Sequence, residues 1–396
     1  MMPRPTVHGE VAPGWEPLAD AVADVLDTDA AGAAVAIVHD GDLVVDLWGG
    51  TDPLSSRAWE RDSVVLAFSA AKGMVALLVA QQIQAGTIDP GAPVAQYWPE
   101  FAAAGKADIT VGDVLTHVAG VPVLPLRGLS DLLDPVDLAA RLAPEPPAYP
   151  PRSARIYHIL SYGTILAEVL RRVTGRGLGE LLRDEVTAPL GASMWFGTPA
   201  SAESRVLLSL MGPVEPAPLP EVTTGPSAAA CEAAYLSTAQ IIPVFERVDD
   251  QIGTEMMNTA TFRAAQIGGG GLVSDARSLA RAYGACVAPF DGVRLLDDET
   301  VAVVSADHLN GIAEPVCRAD AGTTTRWGLG FEISHPANPM LGPGSFGHAG
   351  MGGRLAFAHA PSRLGFAFVG QRMSFPPPGE DPRWHRLLAA TAAVLG

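Results

Sequence analysis

Residues 65–73 are Val65-Leu66-Ala67-Phe68-Ser69-Ala70-Ala71-Lys72-Gly73, a stretch that places a serine three positions before a lysine. That lysine is one of only two in a chain with 24 arginines. The position therefore needs an amine, because an amine can lose its proton and a guanidinium cannot. If the apolar run that follows is a helix, Ser69 and Lys72 share a face and form a nucleophile with its base. A chance Ser-x-x-Lys is the alternative, so the rest of the sequence has to decide.

The composition is that of a globular protein without a nucleic-acid or membrane partner. A length of 396 residues with 48% apolar side chains supports two domains or one large two-lobed unit. The formal net charge of −17 would repel a phosphate backbone or an anionic bilayer. The sequence contains neither a signal-peptide core nor an apolar stretch of about 18 residues, so we expect a cytoplasmic protein.

The spacing of cysteine and histidine argues against a metal site. The chain has an odd number of cysteines that lie far apart, namely Cys231, Cys286 and Cys317. This pattern predicts reduced, buried thiols rather than a disulfide framework. The nine histidines are spread out and show no His-x-x-x-His spacing. We therefore expect neither a metal nor any other cofactor.

Strand patterns occur near both ends of the chain. Two strands are predicted over residues 33–47, on either side of Asp40-Gly41, a dipeptide typical of a tight hairpin turn. Three more are predicted at 327–333, 354–358 and 365–370, followed by a final helix that Asp381-Pro382 begins. Both ends of the chain therefore contribute to one antiparallel sheet.

Helical patterns fill the middle of the chain. An apolar helix is predicted over 68–84, with Ser69 in its first turn, where the helix dipole favours negative charge. Thr110 and Asp113 form a capping box that opens a short helix through His117. The segment from 120 to about 254 is rich in proline and alanine and is predicted to be helical, with one helix at 157–173. Ser274 is predicted to cap another helix through Tyr283.

These elements predict an α/β two-lobed fold, in which a sheet flanked by helices lies beside an all-helical lobe. We expect residues 1–90 and 255–396 to form the α/β domain that carries the nucleophile. Residues 91–254 are expected to form the helical domain.

Further motifs follow the Ser-x-x-Lys pair in order. Residues 150–163, Pro-Pro-Arg-Ser-Ala-Arg-Ile-Tyr-His-Ile-Leu-Ser-Tyr-Gly, resemble the tyrosine box of class C β-lactamases and of related serine esterases. Residues 347–353, Gly-His-Ala-Gly-Met-Gly-Gly, resemble the third box of these enzymes, with His348 in place of its first lysine. Together with residues 47–50, Leu-Trp-Gly-Gly, and 97–101, Tyr-Trp-Pro-Glu-Phe, the chain resembles family VIII carboxylesterases over residues 33–373. That resemblance implies the β-lactamase/transpeptidase-like fold.

The resemblance also implies roles for individual residues. Ser69 would attack an ester carbonyl and become acylated, and Lys72 would take the serine proton. Tyr157 would pass protons to the leaving alkoxide and later activate the deacylating water; without the resemblance, a buried core position would be favoured for it. The oxyanion hole would be the backbone amides of Ser69 and Met351, and Gly350 allows the close approach that such a site requires.

Five other residues near these motifs have either substrate-contacting or structural roles. Trp327 is either core or the wall of an acyl pocket, and His348 either satisfies a loop carbonyl or contacts substrate. Ile159 stands where the lactamase motif Tyr-x-Asn has asparagine, and His348 stands where lysine is usual. Both changes remove groups that hold the amide and carboxylate of a β-lactam, which favours neutral esters. His117 and His158 are expected to be structural.

The sequence therefore predicts a cofactor-independent serine hydrolase that cleaves small carboxylic esters through an acyl-enzyme. An acyltransferase or an amide or β-lactam hydrolase that uses the same Ser69 is the alternative within this chemistry. A catalytically dead ligand-binding protein is the alternative from another class, and the joint presence of Ser69, Lys72 and Tyr157 counts against it. The expected partner is a small-molecule ester, and a homo-oligomer is compatible with the sequence.

Overall fold

The computed structural model describes residues 5–29, 31–212, 228–244, 255–309, 312, 326–336, 338–377 and 379–396. Its strands are β1 Val7–Val11, β2 Ala33–His39, β3 Asp42–Gly49, β4 Val65–Leu66, β5 Met194–Trp195, β6 Val273–Ser274, β7 Glu332–Ile333, β8 Ser345–Gly350, β9 Arg354–His359 and β10 Leu364–Gly370. Its α-helices are α1 Pro17–Asp29, α2 Ala70–Gln84, α3 Val94–Tyr97, α4 Val111–Leu115, α5 Pro135–Leu142, α6 Ser161–Thr174, α7 Leu178–Leu182, α8 Ala228–Ala239, α9 Ala260–Ala264, α10 Ala276–Val287, α11 Asp298–Ser305 and α12 Pro382–Leu395. Short 3-10 and π turns connect several of them.

The main sheet has seven antiparallel strands in the order β1-β3-β2-β10-β9-β8-β7. Its central pair joins the two ends of the chain, because Val35 of β2 lies opposite Phe368 of β10. The prediction that both ends contribute to one sheet is confirmed. The hairpin between β2 and β3 turns at Asp40 and Gly41, whose φ angles of 51° and 88° suit a type I′ turn.

Both faces of this sheet are covered by helices. Val35 and Ile37 of β2 belong to the core under α1 and α12, whereas Ala34 and Ala36 belong to the core that includes α2 and α10. Strand β2 is therefore apolar on both faces, which explains why its sequence is a continuous apolar run rather than an alternating one.

A second, smaller sheet leads into the nucleophile. It has the strand order β4-β6-β5, and β4 ends three residues before Ser69. Helix α2 follows directly, and it is buried on nearly all sides. A helix that is apolar all round is typical of the centre of a protein. Ser69, at the start of this helix, therefore lies near the centre of the fold.

Several elements differ from the sequence predictions. Helix α6 begins at Ser161 rather than at 157, so Tyr157 precedes it in an extended segment. Asp275, not Ser274, caps α10 by accepting a hydrogen bond from the Ser278 amide at 2.6 Å. The predicted strand 327–333 is reduced to β7, and the segment predicted as helical contains the two-residue strand β5. Strands β1 and β8 and helix α1 were not predicted.

The thiols differ from expectation at one position. Cys286 is free and buried, as predicted. Cys231 is disulfide-bonded, so the expectation of a reduced thiol is wrong there. Cys317 lies outside the described residues. Within the ranges that the structure describes, no helix is both long enough and apolar enough to cross a membrane.

Lys106, the second lysine of the chain, is fully buried in the part rich in helices. Its Nζ donates hydrogen bonds to the carbonyls of Ala103 and Ala143, both at 3.0 Å, and to that of Glu145. Burial lowers the pKa of Lys106, and the charge of Glu145 opposes that shift. An ammonium has three hydrogens to donate, and here each finds a carbonyl.

We predict that Lys106→Met destabilises the protein by about 2–4 kcal/mol, because the methionine keeps the chain length but leaves buried carbonyls without donors. The free energy of unfolding from urea titration measures this loss. Arg183→Met, which removes an exposed cation next to Asp184, is the control and should change stability by less than about 0.5 kcal/mol. Equal stability of the two variants would contradict the prediction.

Candidate active site

Ser69 lies at the junction between the smaller sheet and the central helix. It is the N-cap residue of α2, with φ −65° and ψ −12°. The preceding residue, Phe68, has a φ of 49°, a left-handed conformation that is costly for a bulky residue. Such outliers persist where the surrounding structure imposes them, often at functional sites. The turn at Phe68 brings Ser69 to the start of the helix, whose dipole favours negative charge.

Lys72 lies one turn further along α2, and its side chain is fully buried. Its Nζ lies 3.2 Å from Ser69 Oγ and donates a hydrogen bond to the Gly269 carbonyl at 2.6 Å. Burial lowers the pKa of Lys72 to about 7, and the nearby Glu332 carboxylate opposes that shift. At this pKa the amine exchanges its proton near neutral pH, as a general base must.

Tyr157 contacts both members of the Ser69–Lys72 pair. Lys72 Nζ lies 4.8 Å from the centre of its ring, and the Ser69 side chain is close enough to its hydroxyl to oppose the shift of its pKa. Burial raises the pKa of Tyr157 well above its ordinary value, although the Ser69 side chain opposes the rise. The phenol therefore keeps its proton at neutral pH and is suited to donate it.

His348, in β8, lies on the other side of Tyr157. Its Nδ1 lies 2.6 Å from the Ala349 carbonyl, and its Nε2 lies 3.4 Å from the Tyr157 hydroxyl. Burial lowers the pKa of His348 to about 4, although Glu332 opposes the shift. The ring is therefore neutral at pH 7. With the proton on Nδ1, its Nε2 is free to accept a hydrogen bond from Tyr157.

Glu332 is a half-buried acid that the sequence analysis did not single out. Its Oε2 accepts hydrogen bonds from Asn338 Nδ2 at 2.8 Å and from the Ala349 amide at 3.2 Å. Burial opposes its ionisation, but these bonds and a contact with His335 hold the pKa of Glu332 at about 2. The signals in the sequence were one acid in the apolar strand pattern 327–333 and its Glu-x-x-His spacing to His335. Its negative charge acts on Lys72.

The two amides expected to form the oxyanion hole belong to Ser69 and Met351. Among the described residues, neither amide donates a hydrogen bond to another group. A Cβ atom on Gly350 would lie 2.2 Å from the Ala67 carbonyl, so only glycine allows β8 to come this close to the nucleophile turn.

Side chains from β9 and α12 hold the loop after β8 from behind. Arg354 donates to the Met351 carbonyl at 3.2 Å, and Arg383 and Trp384 donate to the Gly352 and Gly353 carbonyls at 2.9 and 2.8 Å. These bonds fix the backbone that directly follows the Met351 amide, and the Gly350 carbonyl, in the same peptide as that amide, accepts a hydrogen bond from the Gly353 amide at 3.1 Å.

The remaining residues singled out in the sequence also lie near Ser69 or its partners. The Trp327 ring is 1% exposed and lies 6.0 Å from the Tyr157 ring and 5.5 Å from the His348 ring, so it is both core and wall of the site. Ile159 is half-buried two residues after Tyr157. The carbonyl of Gly269 was missed, and its signal was the glycine run at 268–271. Among the described residues, no group of acids, histidines and cysteines could hold a metal ion.

Comparisons with known proteins assign the chain to a family. The profile of the Beta-lactamase family matches residues 18–391. The chain belongs to that family. It is 32% identical to the esterase/beta-lactamase LipL of Mycobacterium tuberculosis over 352 residues, which are 87% of this chain and 78% of LipL.

Solved structures agree with this family assignment. A family VIII carboxylesterase superposes with a TM-score of 0.82 at 32% identity, covering 98% of this chain and 100% of that one. EstA from Arthrobacter nitroguajacolicus Rue61a gives a TM-score of 0.80 at 32% identity, covering 98% of each chain. The predicted fold class and family resemblance are confirmed.

We predict that Glu332→Gln moves the acid limb of the pH profile to lower pH. The rate rises as Lys72 loses its proton, around its pKa of about 7, and the negative charge of Glu332 raises that pKa. Removing the charge lowers the pKa of Lys72, so the limb should move down by roughly half a unit to one unit. The measurement is kcat/KM for a p-nitrophenyl ester between pH 4.5 and 9.

Glu168→Gln is the matched control for this prediction. Glu168 is a buried acid, but it is ion-paired to Arg171 and Arg172 on its own helix. Its replacement should leave the acid limb in place. A limb that stays in place, or moves to higher pH, in Glu332→Gln would show that Glu332 does not set the charge state of the base.

Proposed function

We propose that this protein is a serine carboxylesterase that hydrolyses small neutral esters through an acyl-enzyme on Ser69. The observation that carries the proposal is the buried amine of Lys72, 3.2 Å from Ser69 Oγ, with the Tyr157 phenol beside both. The likeness to an esterase/beta-lactamase and to a family VIII carboxylesterase supports ester hydrolysis.

Acylation begins with proton transfer from Ser69 to the neutral amine of Lys72. The serine oxygen attacks the ester carbonyl, and a tetrahedral intermediate forms with negative charge on the former carbonyl oxygen. The amides of Ser69 and Met351 bind this oxygen, and their being unpaired among the described residues means that no existing bond has to break first.

Collapse of the intermediate expels an alkoxide, which must be protonated. Tyr157 donates its proton to this group, and the proton that Lys72 took from Ser69 then replaces the one lost from the phenol. Deacylation reverses the sequence, with water in place of the alcohol. Burial of both groups serves these steps, because it lowers the pKa of Lys72 and raises that of Tyr157.

The substrate class follows from the groups that line the site. His348 is neutral at pH 7, so it offers no charge to a substrate carboxylate. Ile159 offers no hydrogen-bonding side chain where an asparagine would hold an amide. A neutral ester requires neither group.

The homo-oligomer with which the sequence is compatible and the expected cytoplasmic location stay predictions of the sequence.

Ser69→Ala should abolish ester turnover and covalent labelling by a phosphonate ester probe, because Ser69 is the serine whose hydroxyl lies beside the Lys72 amine. Intact-mass spectrometry of labelled protein measures this directly. Ser305→Ala is the control, since its hydroxyl only bonds back to the Val301 carbonyl in α11, and it should label like wild type. Labelling of the Ser69→Ala variant at wild-type rate would refute the assignment.

We expect kcat/KM for p-nitrophenyl acetate to exceed that for a chromogenic cephalosporin by about a thousandfold. Each unpaired polar group of a bound lactam costs about 1–3 kcal/mol, and more if it is charged. The double variant Ile159→Asn with His348→Lys restores both partners, so it should narrow the ratio by at least about tenfold. Comparable efficiencies for wild type on the two substrates would favour the alternative of a β-lactam hydrolase.

A further inference from the structure

Tyr157 occupies a segment with no helix or strand of its own, so other groups must fix its position. One residue from a distant part of the chain bonds to both of its neighbours. The His117 carbonyl accepts a hydrogen bond from the Ile156 amide at 3.2 Å, and His117 Nδ1 accepts one from the His158 amide at 3.0 Å. These two bonds hold the backbone immediately before and after Tyr157.

The imidazole of His117 also packs against the ring of Tyr157. The two ring centres are 4.7 Å apart. Trp327 lies edge-on to His117 at 4.5 Å, and Tyr162 stacks on it at 5.0 Å. His117 is fully buried. It therefore contacts Tyr157 through its ring and contacts the flanking backbone through a carbonyl and a nitrogen.

The chain holds His117 in an unusual backbone conformation. Its φ is 63°, in the left-handed region, and it directly follows the turn that ends α4. Upstream, the capping box of Thr110 and Asp113 fixes the start of that helix. A non-glycine residue with positive φ is strained and persists where its contacts impose it.

The hydrogen bonds of His117 define its tautomer. Because Nδ1 accepts from the His158 amide, the ring proton is on Nε2, which has no hydrogen-bond partner among the described residues. Burial lowers the pKa of His117 well below its ordinary value, so Nδ1 remains an acceptor at neutral pH. A nitrogen without a partner does not pass protons along a hydrogen-bonded chain, which leaves positioning as the role for this ring.

We propose that His117 is a positioning residue that holds the phenol of Tyr157 at the distance from Ser69 where it protonates the leaving group. The proposal rests on the ester hydrolysis inferred above. An error of about 1 Å in the position of a catalytic group costs on the order of a hundredfold in rate. The contribution of His117 should therefore appear only in steps that use the proton of Tyr157.

Two variants separate the nitrogen from the ring. His117→Asn places an amide oxygen near the position of Nδ1, and asparagine tolerates positive φ. His117→Phe keeps an aromatic ring against Tyr157 but removes the acceptor. Thr116→Val is the matched control, because this buried neighbour bonds only to the Gly112 carbonyl of its own helix, at 2.7 Å. Thermal unfolding of each variant shows whether it folds.

The readout is kcat/KM for two acetate esters with different leaving groups, a quantity that reports acylation. A p-nitrophenolate barely needs protonation, whereas an ethoxide does. We expect His117→Phe to lower the rate on ethyl acetate by about 10- to 100-fold and that on p-nitrophenyl acetate by less than about threefold. His117→Asn should recover most of the loss, and Thr116→Val should not change the ratio of the two rates.

A double-mutant cycle with Tyr157→Phe tests whether His117 acts through the phenol. With the hydroxyl absent, His117→Phe should have no further effect on ethyl acetate. Equal losses on both esters, or independent effects in the cycle, would overturn the proposal and make His117 a purely structural residue. If wild type shows no turnover that depends on Ser69, the proposed function itself fails, an outcome distinct from these.

Discussion

The burial of one amine underlies the chemistry of this protein. An exposed lysine keeps its proton far above neutral pH, whereas the low dielectric around Lys72 disfavours the charged form and lowers its pKa to about 7. The surrounding structure limits that effect, because Glu332 supplies a negative charge and the Gly269 carbonyl accepts a hydrogen bond from the amine. The same burial raises the pKa of Tyr157 and lowers that of His348. Burial thus gives the three groups different proton affinities. Lys72 can accept a proton near neutral pH, Tyr157 keeps a proton that it can donate, and the His348 ring is neutral.

The fold keeps Lys72 from solvent by packing other elements around helix α2. Helix α2 is apolar on nearly every side and is surrounded by the main sheet, by α10 and by the part rich in helices. The third motif approaches from β8, and its loop is held by Arg354, Arg383 and Trp384. The spacing of Ser69 and Lys72 is set locally by the start of α2. Contacts between distant parts of the chain hold Tyr157 and His348.

Much of this was predictable from the sequence, and the failures have physical causes. The Ser-x-x-Lys pair, the hairpin at Asp40-Gly41 and the final helix follow from short-range rules, and they were predicted correctly. The sequence places Tyr157 in a helix because its neighbours are apolar. In the structure, hydrogen bonds from the Ile156 and His158 amides to His117 hold it in a segment before that helix. Glu332 was missed, because a single acid in a strand gives a weak signal until its partners are known. Lys72 was noticed in the sequence because lysine is scarce in this chain. The other lysine, Lys106, has a different role, because its Nζ donates hydrogen bonds to three carbonyls.

The pairing of β2 with β10 has a consequence for how the protein is made. Val35 leaves the ribosome long before its strand partner Phe368, because the two lie far apart in the sequence. Contacts between such distant positions form slowly, because a very long loop has to close before they stabilise anything. During translation β2 and β3 therefore expose an unpaired apolar edge, a state prone to aggregation. Strand β8 cannot come beside Ser69 before this part of the sheet has been synthesised, so the proposed site is incomplete until then.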